Sequence, residues 1–326
     1  MRVAVLDDYH EVFDGDPAIQ RLRARVPVDV FTTKLESLER LRGYQIVIAI
    51  RERTKFDEAF FAQVPDLKLI AQTGNHAYHV DVAAATRAGV LVAMGSSNAL
   101  SPAAGMTAST VEITFALMLA LLRNVPSGDR TMREGGWSPT LGRTLFGKKL
   151  AILGLGRIGR DVANIARAFG MELLAWGPTL TDERAAASGA RRMELDDALA
   201  QADIVSVHLA LSDKSRGLLD ERRLRLIGPR GYIINTARGA IVDEAALARV
   251  LAEKAIAGAA LDVYAEEPLS ESSPLRKLDN VVLSPHVGWI ADQTYRCFGE
   301  AVVQIVEQYL DGTYTKAINP EATAHG

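Results

Sequence analysis

The stretch KKLAILGLGRIGRDVANIARAFGMELLAWG, from Lys148 to Gly177, leaves few folds open to this chain. A short apolar run, Leu150 to Leu153, meets Gly154, Gly156 and Gly159 in the pattern G-x-G-x-x-G. Ile158, Val162, Ile165 and Phe169 then recur at helical spacing, Gly170 stands where a helix C-cap belongs, and MELLAWG is a second apolar run. Strand, glycine turn, helix and strand form the first βαβ unit of a dinucleotide-binding fold. Glycine lets the backbone approach a pyrophosphate closely, and the free N–H groups at the helix N-terminus face its charge. Gly154, Gly156, Arg157 and Ile158 are therefore the expected cofactor contacts of the turn. Trp176, Gly177 and Pro178, where the second strand ends, are the expected contacts at the adenosine ribose.

The rest of the chain fits an α/β protein of two doubly wound parallel sheets. Before residue 98, RVAVL, VDVF, YQIVIAI, LKLIAQTG and VLVAMG read as strands, with helical runs at Pro17–Arg25 and Val80–Ala88 among the pieces between them. Such alternation predicts a parallel sheet covered on both faces. This half has no glycine fingerprint, so it reads as a second domain of flavodoxin-like type. SNALSPAAGMTAS (97–109) has a linker's composition. Beyond the glycine turn, MELLAWG, DIVSVHLAL, YIINTARG, AGAALDVY and NVVLSP are strand candidates, and an amphipathic helix from Asp292 to Leu310 is expected to return to the first domain. The division is 1–98 plus 292–326 for a discontinuous substrate domain, with a Rossmann cofactor domain inserted over 99–291.

Composition narrows the function. With 326 residues, 48% of them hydrophobic, the chain is long enough for two cores. A net charge of −3 without a basic cluster argues against nucleic acid as a partner. Cys297 is the only cysteine, which excludes a disulfide framework and favours a reducing cytoplasm. The chain opens directly on strand-like MRVAVLDD, so no signal peptide is expected. The longest apolar stretch, Ile113 to Leu122, is too short to span a bilayer, so no membrane is expected. The helix from Thr110 to Arg123 is apolar on too many faces for solvent, and the arm from Arg133 to Lys149 has little core of its own. Both point to a homodimer.

In doubly wound sheets, ligands sit at the carboxyl ends of the strands. Three reactive side chains fall there: Arg238 after YIINTA, Glu267 after LDVYAE and His286 after VVLSP. Arginine's planar fork suits a carboxylate. Histidine delivers or accepts a proton near neutral pH, and a neighbouring carboxylate stabilises the charged ring and fixes its orientation. Beside a nicotinamide, the three would reduce a 2-keto acid or oxidise a 2-hydroxy acid. Each taken singly also reads as an ordinary loop residue.

At these residues the chain resembles the D-isomer-specific 2-hydroxyacid dehydrogenases. The similar segments are GKKLAILGLGRIG, VSVHLALSDKSRGLL, INTARGAIVDEAAL, GAALDVYAEEPL and NVVLSPHVG, in the family's order, with LKLIAQTGNHAYHVDVAAATRAGVLV before them. The resemblance implies an oxidoreductase using NAD, with NADP as the variant cofactor, on a small D-2-hydroxy or 2-keto acid. It implies that Arg238 binds the substrate carboxylate, that His286 is the general acid/base, and that Glu267, not Glu266, pairs with it. It implies further that Asp262 holds the nicotinamide carboxamide and that Thr110 touches the nicotinamide. His208, Ser215, Thr236, Ala237, Arg238, His286 and Gly288 complete the cofactor contacts. Gly74, Asn75 and His76 match the loop that holds the substrate carboxylate.

Two departures from the family pattern stand out. His76, Tyr78 and His79 occupy places where a second glycine and an Asp-Asn pair are common. Gly177 stands where many members carry an acid for the ribose. His76 and His79 have no third partner at a metal-binding spacing, so no metal is expected. A dinucleotide-sensing, corepressor-like binding protein on the same fold is the alternative to an enzyme.

Overall fold

The computed structural model describes residues 1–74, 76–95 and 105–325; the linker read at 97–109 lies outside them up to residue 104. The chain divides into two compact units, Met1–Met106 with Ile290–Gly326, and Thr107–Trp289.

In the first unit, β1 (Val3–Leu6), β2 (Val28–Val30), β3 (Ile46–Ala49), β4 (Leu69–Thr73) and β5 (Leu91–Gly95) form one parallel sheet in the order β2-β1-β3-β4-β5. This is the flavodoxin-like order. All residues of β1, β3 and β4 are buried, which is why those strands read as continuous apolar runs rather than alternating ones. The helix Asp292–Leu310 packs on β4, on β5 and on the helix Pro17–Arg23. Tyr295, Phe298, Val302 and Val306 are among its buried residues.

The second unit holds seven parallel strands in the order β12-β11-β10-β9-β6-β7-β8. They are β6 (Lys149–Leu153), β7 (Glu172–Trp176), β8 (Arg191–Arg192), β9 (Ile204–Val207), β10 (Tyr232–Asn235), β11 (Gly258–Leu261) and β12 (Val281–Leu283). Successive side chains of β6 feed opposite cores: Leu150 and Ile152 join one, Ala151 and Leu153 the other. The direction of winding reverses between β6 and β9, so the crevice at their carboxyl ends is the expected ligand position. The sequence did not anticipate β8, a two-residue edge strand of exposed arginines.

The helix Gly105–Leu122 buries much of its surface in its own unit. Val111, Phe115, Leu117, Met118, Leu121 and Leu122 are all buried within the helix's own unit. Each large side chain so buried contributes about 1.5–3 kcal/mol relative to exposure, while Ala116 stays exposed and Ile113, Leu119 and Ala120 are half-buried. Large exposed apolar residues lie just after the helix. Val125 and Met132 are on the helix Val125–Arg133, and Trp137, Leu141 and Phe146, on the arm that follows, are 82%, 95% and 79% exposed. No single helix among the described residues is long and apolar enough to cross a membrane.

Candidate active site

The glycine turn is built by two close approaches. Gly154 follows β6 at φ +101°, and its N–H donates to the Trp176 carbonyl over 2.7 Å. A Cβ there would lie 2.7 Å from the His208 carbonyl oxygen, so the loop after β9 presses on the turn. At Gly159 a Cβ would lie 2.1 Å from the Gly154 carbonyl oxygen, so only glycine lets the helix rest on the turn. Gly156 differs: it caps the helix Arg157–Ala168 without a side-chain hydrogen bond, and a Cβ there would meet nothing within 4 Å. A helix N-terminus with open space at its capping residue suits a pyrophosphate. Arg157 is the first helical residue, while Ile158 leans on the core.

Trp176, at the end of β7, packs on the other core, and Gly177 starts a turn in which Leu180 N–H donates to its carbonyl over 3.1 Å. A Cβ on Gly177 would make only an ordinary contact, 3.5 Å from Leu180 Cβ. Pro178 lies within that turn. Two guanidinium groups brace it: Arg184 Nη1 donates to the Thr179 carbonyl (2.9 Å) and Arg192 Nε to the Leu180 carbonyl (3.0 Å). Reading along the chain finds Arg184 alone. Arg192 arrives through the pairing of β8 with β7, and it is itself bonded to Glu194.

Arg238, Glu267 and His286 follow β10, β11 and β12, three neighbouring strands. His286 Nδ1 lies 2.6 Å from Glu267 Oε2, and Glu267 Oε1 accepts from the Tyr264 N–H over 3.0 Å. Burial works to raise the Glu267 carboxyl. The hydrogen bonds from His286 and Tyr264, with the nearby charges of His286 and Arg238, outweigh it and hold the group below the usual glutamate range. An ionised carboxylate only accepts, so Nδ1 carries a proton and Nε2 is the ring nitrogen left for chemistry. Glu266 is exposed and makes no such pair. Asn235 shapes the arginine turn, taking the Ala237 N–H on Oδ1 and donating Nδ2 to the Arg238 carbonyl. A polar residue ending the YIIN strand was the only sequence signal for it.

The remaining expected contacts divide by what already occupies them. Thr110 Oγ1 donates to the Gly288 carbonyl over 3.1 Å, and Thr236 shares a hydroxyl contact of 2.9 Å with Thr114. His208 is pushed down to about 4 by burial, hence neutral, and its Nε2 lies 2.8 Å from Ser206 Oγ. The Ser215 hydroxyl is engaged inside its own turn, donating to the Ala210 carbonyl and accepting from the Ser212 N–H. Asp262 is 1% exposed and accepts hydrogen bonds from the histidine loop.

In the first unit, Gly74 follows β4 at φ +94°, and a Cβ there would run into the Arg51 guanidinium. His76 Nε2 lies 2.9 Å from Glu52 Oε1 and 3.0 Å from Arg51 Nη2, and Tyr78 stacks on its ring. Burial pushes the His79 imidazole below its ordinary value. Asn75 lies outside the described residues.

Residues 115–288 match the model of the D-isomer specific 2-hydroxyacid dehydrogenase NAD-binding domain. Glyoxylate reductase of Aeropyrum pernix is 40% identical over 249 residues, 74% of this chain and 72% of the relative. D-3-phosphoglycerate dehydrogenase of Archaeoglobus fulgidus is 36% identical over 264 residues, covering 80% of this chain. The chain spans about half the length of the phosphoglycerate dehydrogenases it matches, 49% for that one. The crystal structure of phosphoglycerate oxidoreductase from Vibrio cholerae superposes with a TM-score of 0.84 at 34% identity, covering 96% of this chain and 99% of that one.

Proposed function

The chain belongs to the D-isomer specific 2-hydroxyacid dehydrogenase family, and from that membership we propose that it reduces a small 2-keto acid to the D-2-hydroxy acid. The observation that carries this reading is the His286–Glu267 contact of 2.6 Å at the strand ends beside Arg238. NAD is the cofactor, and its reduced nicotinamide supplies the hydride. Arg238 binds the substrate carboxylate through its fork. His286 donates the Nε2 proton to the carbonyl oxygen as the alcohol forms, while Glu267 holds the ring through Nδ1 and offsets its charge. The first unit is assigned to substrate, with Gly74 and His76 in its binding loop, and the second to cofactor. An assay of glyoxylate, hydroxypyruvate and pyruvate with NADH and NADPH tests this. Absence of turnover with every 2-keto acid, in protein that still binds NADH, would remove the reading.

Cofactor discrimination is proposed to be weak. An acid at Gly177 would hydrogen-bond the ribose and repel a 2′-phosphate; Gly177 does neither, and Arg184 and Arg192 brace the adjoining turn. Gly177→Asp fits sterically. Two unit charges about 4 Å apart interact by roughly 4 kcal/mol at an effective dielectric near 20, less at an open, salt-screened site. Even about 1.4 kcal/mol is tenfold. Gly177→Asp is expected to lower kcat/KM with NADPH about tenfold or more and to leave NADH equal or better. Equal loss with both cofactors would show that the pocket is placed wrongly.

We further propose a homodimer in a reducing cytoplasm, with the single Cys297 buried. The exposed Trp137, Leu141 and Phe146 support an interface with a second copy. Light scattering is expected to give twice the chain mass, and Leu141→Glu to shift the protein toward monomer. A wild-type monomer at micromolar concentration would count against it.

A further inference from the structure

We propose that Asp262 is the positioning residue that holds His286 in its working conformation. His286 has φ +55°, a left-handed backbone that a bulky residue keeps only when its surroundings enforce it. The enforcement comes from both sides of the histidine, and from one carboxylate. Asp262 Oδ1 accepts from Ser284 Oγ at 2.5 Å and from the Val287 N–H at 2.9 Å, and Oδ2 accepts from the Gly288 N–H at 2.8 Å. Ser284 before His286, and Val287 and Gly288 after it, are thus drawn to a single side chain. Gly288 comes so close that a Cβ would lie 2.8 Å from Oδ2. The Tyr264 hydroxyl holds the same loop by donating to the Ser284 carbonyl over 2.9 Å.

A carboxylate offers about four acceptor positions, and three of Asp262's are taken by the histidine loop. At most one remains for a cofactor amide. Removing a buried acceptor leaves several donors unpaired at once, an asymmetry far larger than the worth of one bond. The loop would relax from the left-handed turn, and the ring would leave Glu267.

This inference rests on the reductase reading for its kinetic arm and not for its spectroscopic one. Asp262→Asn keeps the shape but points an amide N–H₂ at backbone donors. In cofactor-free protein, the low-field proton resonance of His286 Nδ1–H, identified by its loss in His286→Ala, is expected to vanish in Asp262→Asn. Turnover is expected to fall about tenfold, as misplacement of a reacting group does, while the NADH dissociation constant changes less than about threefold. Ser284→Ala removes one of the three bonds and is expected to shift that resonance with a smaller loss of turnover. It decides the matter if Asp262→Asn does not fold. An unchanged resonance in the folded variant would overturn the proposal, as would a loss confined to NADH binding. If wild-type protein reduced no 2-keto acid, the reductase reading would fail while the resonance still judged the clamp.

Discussion

Replacing His286 by alanine is expected to lower turnover in 2-keto acid reduction about a hundredfold or more, with NADH binding nearly unchanged. In the proposed mechanism the imidazole places a proton beside the carbonyl oxygen, and no second group among the described residues of that loop can replace it. Glu267 supplies the complementary test. Its carboxyl is held below the ordinary range, so it carries full negative charge across neutral pH. Glu267→Gln removes that charge and weakens the anchor on Nδ1, so turnover is expected to fall about tenfold or more with NADH binding nearly unchanged. Near-normal reduction by His286→Ala would end the acid/base assignment, and undiminished turnover in Glu267→Gln would place the orienting carboxylate elsewhere.

Replacing Arg238 by alanine is expected to reduce kcat/KM for the keto acid about a hundredfold, chiefly through KM. Breaking a hydrogen-bonded charge pair costs about 2–5 kcal/mol, and about 2.7 kcal/mol is a hundredfold. The Arg238 guanidinium has its own anchor, donating Nη1 to the Ala237 carbonyl over 2.7 Å, so the fork is held at the end of β10. Arg238→Lys should recover little, because an ammonium cannot make two parallel bonds to a carboxylate. Recovery to near wild-type KM in Arg238→Lys would mean that only charge, and no fork, is read there. A KM increase for NADH matching that for the keto acid would move Arg238 from the substrate to the cofactor.

The chain's own order determined much of this protein. The runs RVAVL, YQIVIAI and LKLIAQTG are apolar without alternation because strands buried on both faces need no polar side, and each forms a strand of a parallel sheet. The spacing of Gly154, Gly156 and Gly159 marked the turn, since the close approach of Gly159 to the Gly154 carbonyl is local. The Asp292–Leu310 pattern marked its helix, since an amphipathic helix of 19 residues leaves its boundaries in the sequence.

What the tertiary structure alone decided depended on partners distant in sequence. Which residues of the Gly105–Leu122 helix are buried depends on what packs against them, and Val111, Phe115, Met118 and Leu122 join the core of its unit. The strand Arg191–Arg192 carries two charges at a sheet edge, where pairing and not hydrophobicity makes it a strand. That pairing brings Arg192 to the turn after Gly177, a proximity with no signal along the chain. Asp262 likewise reads as one acid ending a strand. Only the fold brings Ser284, Val287 and Gly288 to its two oxygens, because β12 lies beside β11 and its exit loop must turn over the end of that strand.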